Sequence, residues 1–148
     1  MLFLPQRPYM LLGSLRSQLL YPQQGREIVD EELLQLLKSV NLPDVAARFG
    51  GLDAELDWAK VLSVGEQQRV AFARVLLAAP RYAILDEATS ALDIANEDCL
   101  YRQLAGSATT LVSVGHRLSI LKYHPQVLEL AGDGGWRLYA ADDYRFNR

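Results

Sequence analysis

Short apolar runs alternate with stretches of helical periodicity along this chain. Leu2–Leu4 is an apolar run stopped by Pro5, and "YAILDE" (82–87) and "TTLVSV" (109–114) are two longer ones. Runs of this length, bounded by polar or turn residues, predict buried strands. Between them the period changes. Leu33, Leu34, Leu36, Leu37 and Val40 share one helical face, with Asp30 as candidate N-cap and Asn41-Leu42-Pro43 as the stop. Glu66–Ala79 is a helix-forming run ended near Pro80, and another helix is expected from about Asp93 to Leu104. Residues 5–25, with Pro5, Pro8, Gly13, Pro22 and Gly25, read as loop around one short helix near Ser14–Leu20. Residues 44–62 are mixed and broken at Gly50-Gly51. "QVLEL" (126–130) and "WRLY" (136–139) flank "AGDGG", the pattern of a hairpin. Apolar strands alternating with helices predict an α/β fold, a parallel sheet with helices covering both faces.

Composition narrows the class. The 148 residues are most simply one domain, half apolar and 22% charged, with a net charge of −3 that supplies no basic field for nucleic acid. One cysteine, Cys99, rules out an internal disulfide, and Cys99, His116 and His124 have no metal-ligand spacing. No apolar run approaches the roughly 20 residues of a membrane span, and no signal-peptide pattern opens the chain. "MLFLPQ" reads as a strand already in progress, where domain ends are usually loose and polar. That leaves Met1 open as an internal methionine of a longer chain.

Two places carry chemistry. Ser63-Val64-Gly65 is a small-residue turn running straight into a helix, where free amides and a hydroxyl suit an anion. "YAILDE" ends on Asp86 and Glu87, which puts two carboxylates at the C-terminal edge of a parallel sheet, where such folds bind ligands. Taken singly, Asp86 could merely cap the next segment, His116 could be a turn histidine, and Gln6 a solvated loop residue.

Taken together, "FLPQRPYM" (3–10), "LSVGEQQR" (62–69), "YAILDE", "SALD" (90–93) and "GH" (115–116) stand in the order and spacing of ABC transporter nucleotide-binding domains. The chain resembles the C-terminal part of that domain over its whole length. "FLPQRPYMLLGSLRSQLLYP", "LELAGDGGWRL" and Glu66 resemble the peroxisomal fatty-acyl-type half-transporters and their bacterial relatives. The resemblance implies a partial P-loop NTPase fold: a helical signature subdomain at about 7–80, with 1–6 and 81–148 in the catalytic core. It implies ATP and Mg²⁺ as cofactors. Asp86 then resembles the Mg²⁺-holding aspartate, Glu87 the general base, His116 the switch histidine and Gln6 the glutamine that senses metal and water. Ser63, Val64, Gly65 and Glu66 match the signature that meets the γ-phosphate of ATP held by a second nucleotide-binding domain. Val64 departs from the usual glycine. Asp93 resembles the residue that crosses the dimer seam. Tyr9 and the 9–21 loop would face the coupling helix of the transmembrane domain, so the chain would sit on the cytoplasmic face of a membrane, the bacterial inner membrane, without inserting. Arg69 and Arg74 read as solvated, and Trp58 and Trp136 as packing residues.

The phosphate-binding pattern GxxxxGK[ST] has no match, since the lysines are Lys38, Lys60 and Lys122 and none follows a glycine. In the family that pattern lies upstream of the part resembled here, on a strand between the switch-histidine strand and the one reading "QVLEL". A gap between Thr109–Val114 and Gln126–Leu130 is therefore expected. The leading reading is an ABC transporter ATPase subunit segment, competent only with that upstream part. The alternative is a naturally short, inactive ABC module that acts as a regulatory or dimerisation partner. A DNA-repair type of ABC protein is disfavoured, because Gln6–Leu62 holds no sustained heptads.

Overall fold

A computed structural model of the chain describes residues 1–23 and 25–145, which form two compact units, Met1–Val114 and Gly115–Arg148. In the first, strands β1 (Leu2–Leu4), β4 (Tyr82–Asp86) and β5 (Thr110–Val114) make a parallel sheet in the order β1-β4-β5. The register pairs Leu4 with Leu85 and Asp86 with Val114. Between β1 and β4 the chain runs through β2 (Leu12–Ser14), α1 (Leu15–Leu20), α2 (Asp30–Ser39), α3 (Val45–Arg48), β3 (Glu55–Asp57), α4 (Trp58–Val61) and α5 (Val64–Ala78). Strands β2 and β3 pair antiparallel. Helix α6 (Ile94–Ala105) connects β4 to β5, the crossover that a parallel pair requires.

Helix α5 is the axis of this unit. Val70, Ala71, Phe72, Ala73 and Val75 are all buried, too many for one stripe, so the body of the helix is enclosed on several sides. Phe72 meets Tyr101 of α6 edge-on, with centroids 6.1 Å apart. The buried Trp58 packs against Phe49 and donates its indole N–H to the Gly13 carbonyl at 2.8 Å, joining α4 to β2. Helix α2 buries Leu33, Leu37 and, at its C-cap, Val40, while Leu34 of the predicted face is exposed, so that face is narrower than its periodicity suggests.

Five expectations need correction. Asp30 does not cap α2: Val29 takes that position, and the Asp30 carboxylate is drawn to Arg16 at 2.6 Å. Arg74 is not solvated but 4% exposed, donating to the Gln18 and Tyr9 carbonyls at 2.6 and 2.7 Å. Helical spacing alone could not show that a loop folds over that face of α5. Arg69 likewise bonds the Asn41 and Gly65 carbonyls. Trp136 does not pack, being 68% exposed. The sheet is also not covered throughout, since β5 leaves Val112 and Val114 about half exposed.

In the second unit β6 (Gln126–Leu130) and β7 (Trp136–Ala140) form the expected antiparallel hairpin. Among the described residues of this unit these two strands pair only with each other.

Replacing Trp58 by Phe should strand the Gly13 carbonyl and open a void. The stranded carbonyl alone should cost about 1–3 kcal/mol. Urea unfolding reads this as a lower midpoint, and an unchanged midpoint would show that the β2 turn does not depend on the indole.

Candidate functional site

The candidate residues of the first unit gather at the C-terminal ends of β1 and β4, and at the first turns of α5 and α6. Gln6 follows β1 after Pro5, and its side-chain amide donates to Glu87 Oε2 at 3.3 Å. Asp86 is the last residue of β4, half-buried. Glu87 is not part of the strand, as its position in "YAILDE" suggested. Its backbone turns into the left-handed region at φ 46°, while its N–H donates to the Val114 carbonyl at 2.9 Å. A non-glycine residue held there carries local strain, which clusters at functional positions. The consequence is geometric. Asp86 and Glu87 would point to opposite faces of a continuing strand, and the turn re-aims the second carboxylate.

The Ser63 corner is accessible: Ser63 and Val64 are exposed, Gly65 and Glu66 half-buried. Here too the local structure differs from a separate turn. Ser63 is the N-cap of α5, and Val64 and Gly65 already belong to its first turn. Ser63 Oγ accepts from the Glu66 N–H at 3.2 Å, and Glu66 Oε2 accepts from the Ser63 N–H at 2.8 Å, a reciprocal capping box. Val64 at the first helical position needs no glycine. At Gly65 a Cβ would lie 3.1 Å from the Ala91 carbonyl oxygen, close enough that the 90–93 segment would have to shift to admit it. The Glu66 carboxylate also forms an ion pair with Arg48. Partial burial alone would push Glu66 up, but the hydrogen bonds from Arg48 and the Ser63 backbone outweigh it and hold the carboxyl below its ordinary value.

Asp93 caps α6, accepting from the Asn96 N–H at 2.7 Å, a bond that lowers its pKa. His116 belongs to the second unit, exposed and two residues beyond the end of β5. Sequence reasoning missed Gln68. This fully buried side chain donates to the Gln6 carbonyl at 2.8 Å and to Ser90 Oγ at 3.1 Å, and accepts from the Ala91 N–H at 3.1 Å. The available signal was a polar residue on the face of α5 that carries the core. Gln6 and Glu87 are thus brought into direct contact, and the Ser63 corner joins them through Gln68 and the Gly65–Ala91 approach.

No group of three or more His, Cys, Asp or Glu side chains that could hold a metal occurs among the described residues. Asp86 and Gln6 offer oxygen donors of the kind Mg²⁺ takes, an ion that binds one or two carboxylates and fills its shell with water and phosphate oxygens. No helix among them is long and apolar enough to cross a membrane.

The capping box has a pH signature. A carboxyl with a depressed folded pKa adds stability above its unfolded value, about 4.3, and that stability disappears as pH falls through the folded value. Between about pH 5 and about pH 3 the protein should therefore lose more stability than its Glu66→Gln variant. Denaturant midpoints measured across this range test it, and parallel curves would remove Glu66 from the cap.

The sequence model of the family described as "ABC transporter" matches residues 6–90. An uncharacterized ABC transporter ATP-binding protein of Synechocystis is 56% identical over 138 residues, covering 93% of this chain and 21% of that protein. The chloroplastic ABC transporter D family member 2 of Arabidopsis thaliana is 42% identical, covering 95% and 24%. The lysosomal cobalamin transporter of Mus musculus is 46% identical, covering 93% and 24%. The chain thus spans about a fifth to a quarter of the length of these relatives. A bacterial Atm1-family ABC exporter solved with ATP bound superposes with a TM-score of 0.71 at 30% identity, over 86% of this chain and 23% of that one. With the family match reaching across more than half of its residues, this polypeptide belongs to the ABC transporter family and has the fold of its ATP-binding domain.

Proposed function

We propose that the chain is the signature-bearing part of an ABC transporter ATPase subunit, hydrolysing ATP together with an upstream segment that supplies the phosphate loop. The observation that carries this is the Gln6–Glu87 contact, in which an amide at 3.3 Å orients a carboxylate that a strained backbone has turned out of β4. Glu87 is then the general base, its carboxylate accepting a hydrogen bond from the attacking water and taking its proton as the water attacks. Gln6 fixes the rotation of that carboxylate. Asp86, with Gln6, would hold Mg²⁺. When bound, that ion neutralises charge on the phosphate oxygens. His116 would donate to the γ-phosphate.

The Ser63 corner serves the opposite site. Ser63 and Val64 at the start of α5 are exposed, and Gly65 allows the 90–93 segment to lie against that turn. A second nucleotide-binding domain would bring its γ-phosphate there, with Asp93 at the seam. The transmembrane domain would dock on the loop at 9–21, which places the chain on the cytoplasmic face of a membrane, in a bacterium the inner one. The substrate is chosen by membrane segments and not by these residues.

Steady-state ATP hydrolysis by the product of the complete open reading frame containing residues 1–148 tests the reading. Glu87→Gln should lower kcat by at least about a hundredfold, the scale of positioned acid–base catalysis, while ATP-dependent dimerisation survives. An unchanged rate would remove Glu87 from the base role. A parent protein with no activity, which nonetheless raises or suppresses the ATPase of a partner domain, would favour the regulatory module instead.

A further inference from the structure

We propose that Gln68 is a positioning residue, whose one buried amide locks the Gln6 segment, the first turns of α5 and the 90–93 segment into a single unit. The proposal rests on the ATPase reading above. It starts from an accounting of bonds. The Gln68 side chain is fully buried, and a buried primary amide must place two N–H donors and at least one oxygen acceptor. Here each of the three goes to a different kind of group. One N–H reaches the Gln6 carbonyl at 2.8 Å, the other reaches Ser90 Oγ at 3.1 Å, and the oxygen accepts from the Ala91 N–H at 3.1 Å.

None of these partners belongs to α5 itself. Gln6 carries the amide that touches Glu87, Ser90 and Ala91 lead directly into Asp93, and Gln68 lies one helical turn beyond Val64 and Gly65. Gly65 adds a second tie, since its missing side chain lets the Ala91 carbonyl approach the same turn. The backbone of Gln6 therefore cannot shift relative to Ala91 without breaking a bond to Gln68, and a broken bond here leaves a buried polar group unsatisfied. The Gln6–Glu87 geometry and the position of the 90–93 segment are set by the same side chain. Gln68 is fully buried, so it acts only through Gln6 and the 90–93 segment.

The test is Gln68→Met, of similar length and without hydrogen bonds, in the complete polypeptide, read by ATP hydrolysis and thermal unfolding. A misplacement of Gln6 by about 1 Å should lower kcat by roughly ten- to a hundredfold, with KM for ATP within about twofold. The loss should be smaller in a Gln6→Ala background, because the part of it that runs through the Gln6 side chain is then already gone. Should the methionine variant fail to fold, Gln68→Glu keeps the size and one acceptor and should show the same Gln6-dependent loss. A kcat equal to the parent, or an equal loss with and without Gln6, would overturn the proposal. Glu87→Gln run in parallel separates the two failures: if that variant also keeps its rate, the ATPase reading has failed rather than the role of Gln68.

Discussion

A polar side chain taken out of water must be bonded, and helix α5 carries two of them into the centre of the first unit. Gln68 and Arg74 stand on a helix whose other buried positions are apolar, so neither finds partners among its neighbours on the helix. Both are satisfied by segments from before α1, within α1 or after β4. Arg74 donates to the carbonyls of Gln18 and Tyr9, and Gln18 in turn holds both the Leu11 N–H and the Leu11 carbonyl, at 2.8 and 2.9 Å. Burial pushes the Arg74 guanidinium down to about 10, and no carboxylate bond offsets it. The loop after β1 is therefore not a loose connection but a segment tied to α5 at both Gln6 and Tyr9.

The same helix has a different character at its start. Ser63 and Glu66 close the capping box, which satisfies two backbone groups without outside help and leaves the corner exposed. Glu66 places a carboxylate beside the positive end of the helix dipole, where it is stabilised. Arg48, whose pKa is raised by the Glu66 bond, balances the charge. An anion approaching Ser63 thus meets a turn whose own carboxylate is already matched. On the sheet side, the local strain at Glu87 is held by the Val114 carbonyl at the end of β5 and by Gln6 just beyond β1, on the two sides of β4.

The periodicity of the chain was enough for the framework. Helix α2, strands β4 and β5 and the glycine-rich hairpin all formed as elements where their patterns indicated, because each run is long enough for its period or its turn residues to be read. Two short strands, β2 and β3, were not legible. Three residues give too little alternation to read, and their pairing brings together segments forty residues apart. Trp136 and Val112 were misplaced for the opposite reason. Their apolar character implies a cover, and nothing among the described residues of their own unit provides it.

The candidate site divides in the same way. Residue types and spacing alone determined that two carboxylates end a strand, that a small-residue corner opens α5, that Asp93 precedes a helix and that a glutamine follows β1. Those are local facts, carried by neighbours within a few positions. Only the tertiary structure decided that Gln6 meets Glu87 across 81 positions, that Glu87 leaves the strand in a left-handed turn, and that Gln68 and Arg74 face inward. A hydrogen bond between distant segments depends on how the elements pack, and packing is a property of the whole chain rather than of any window along it.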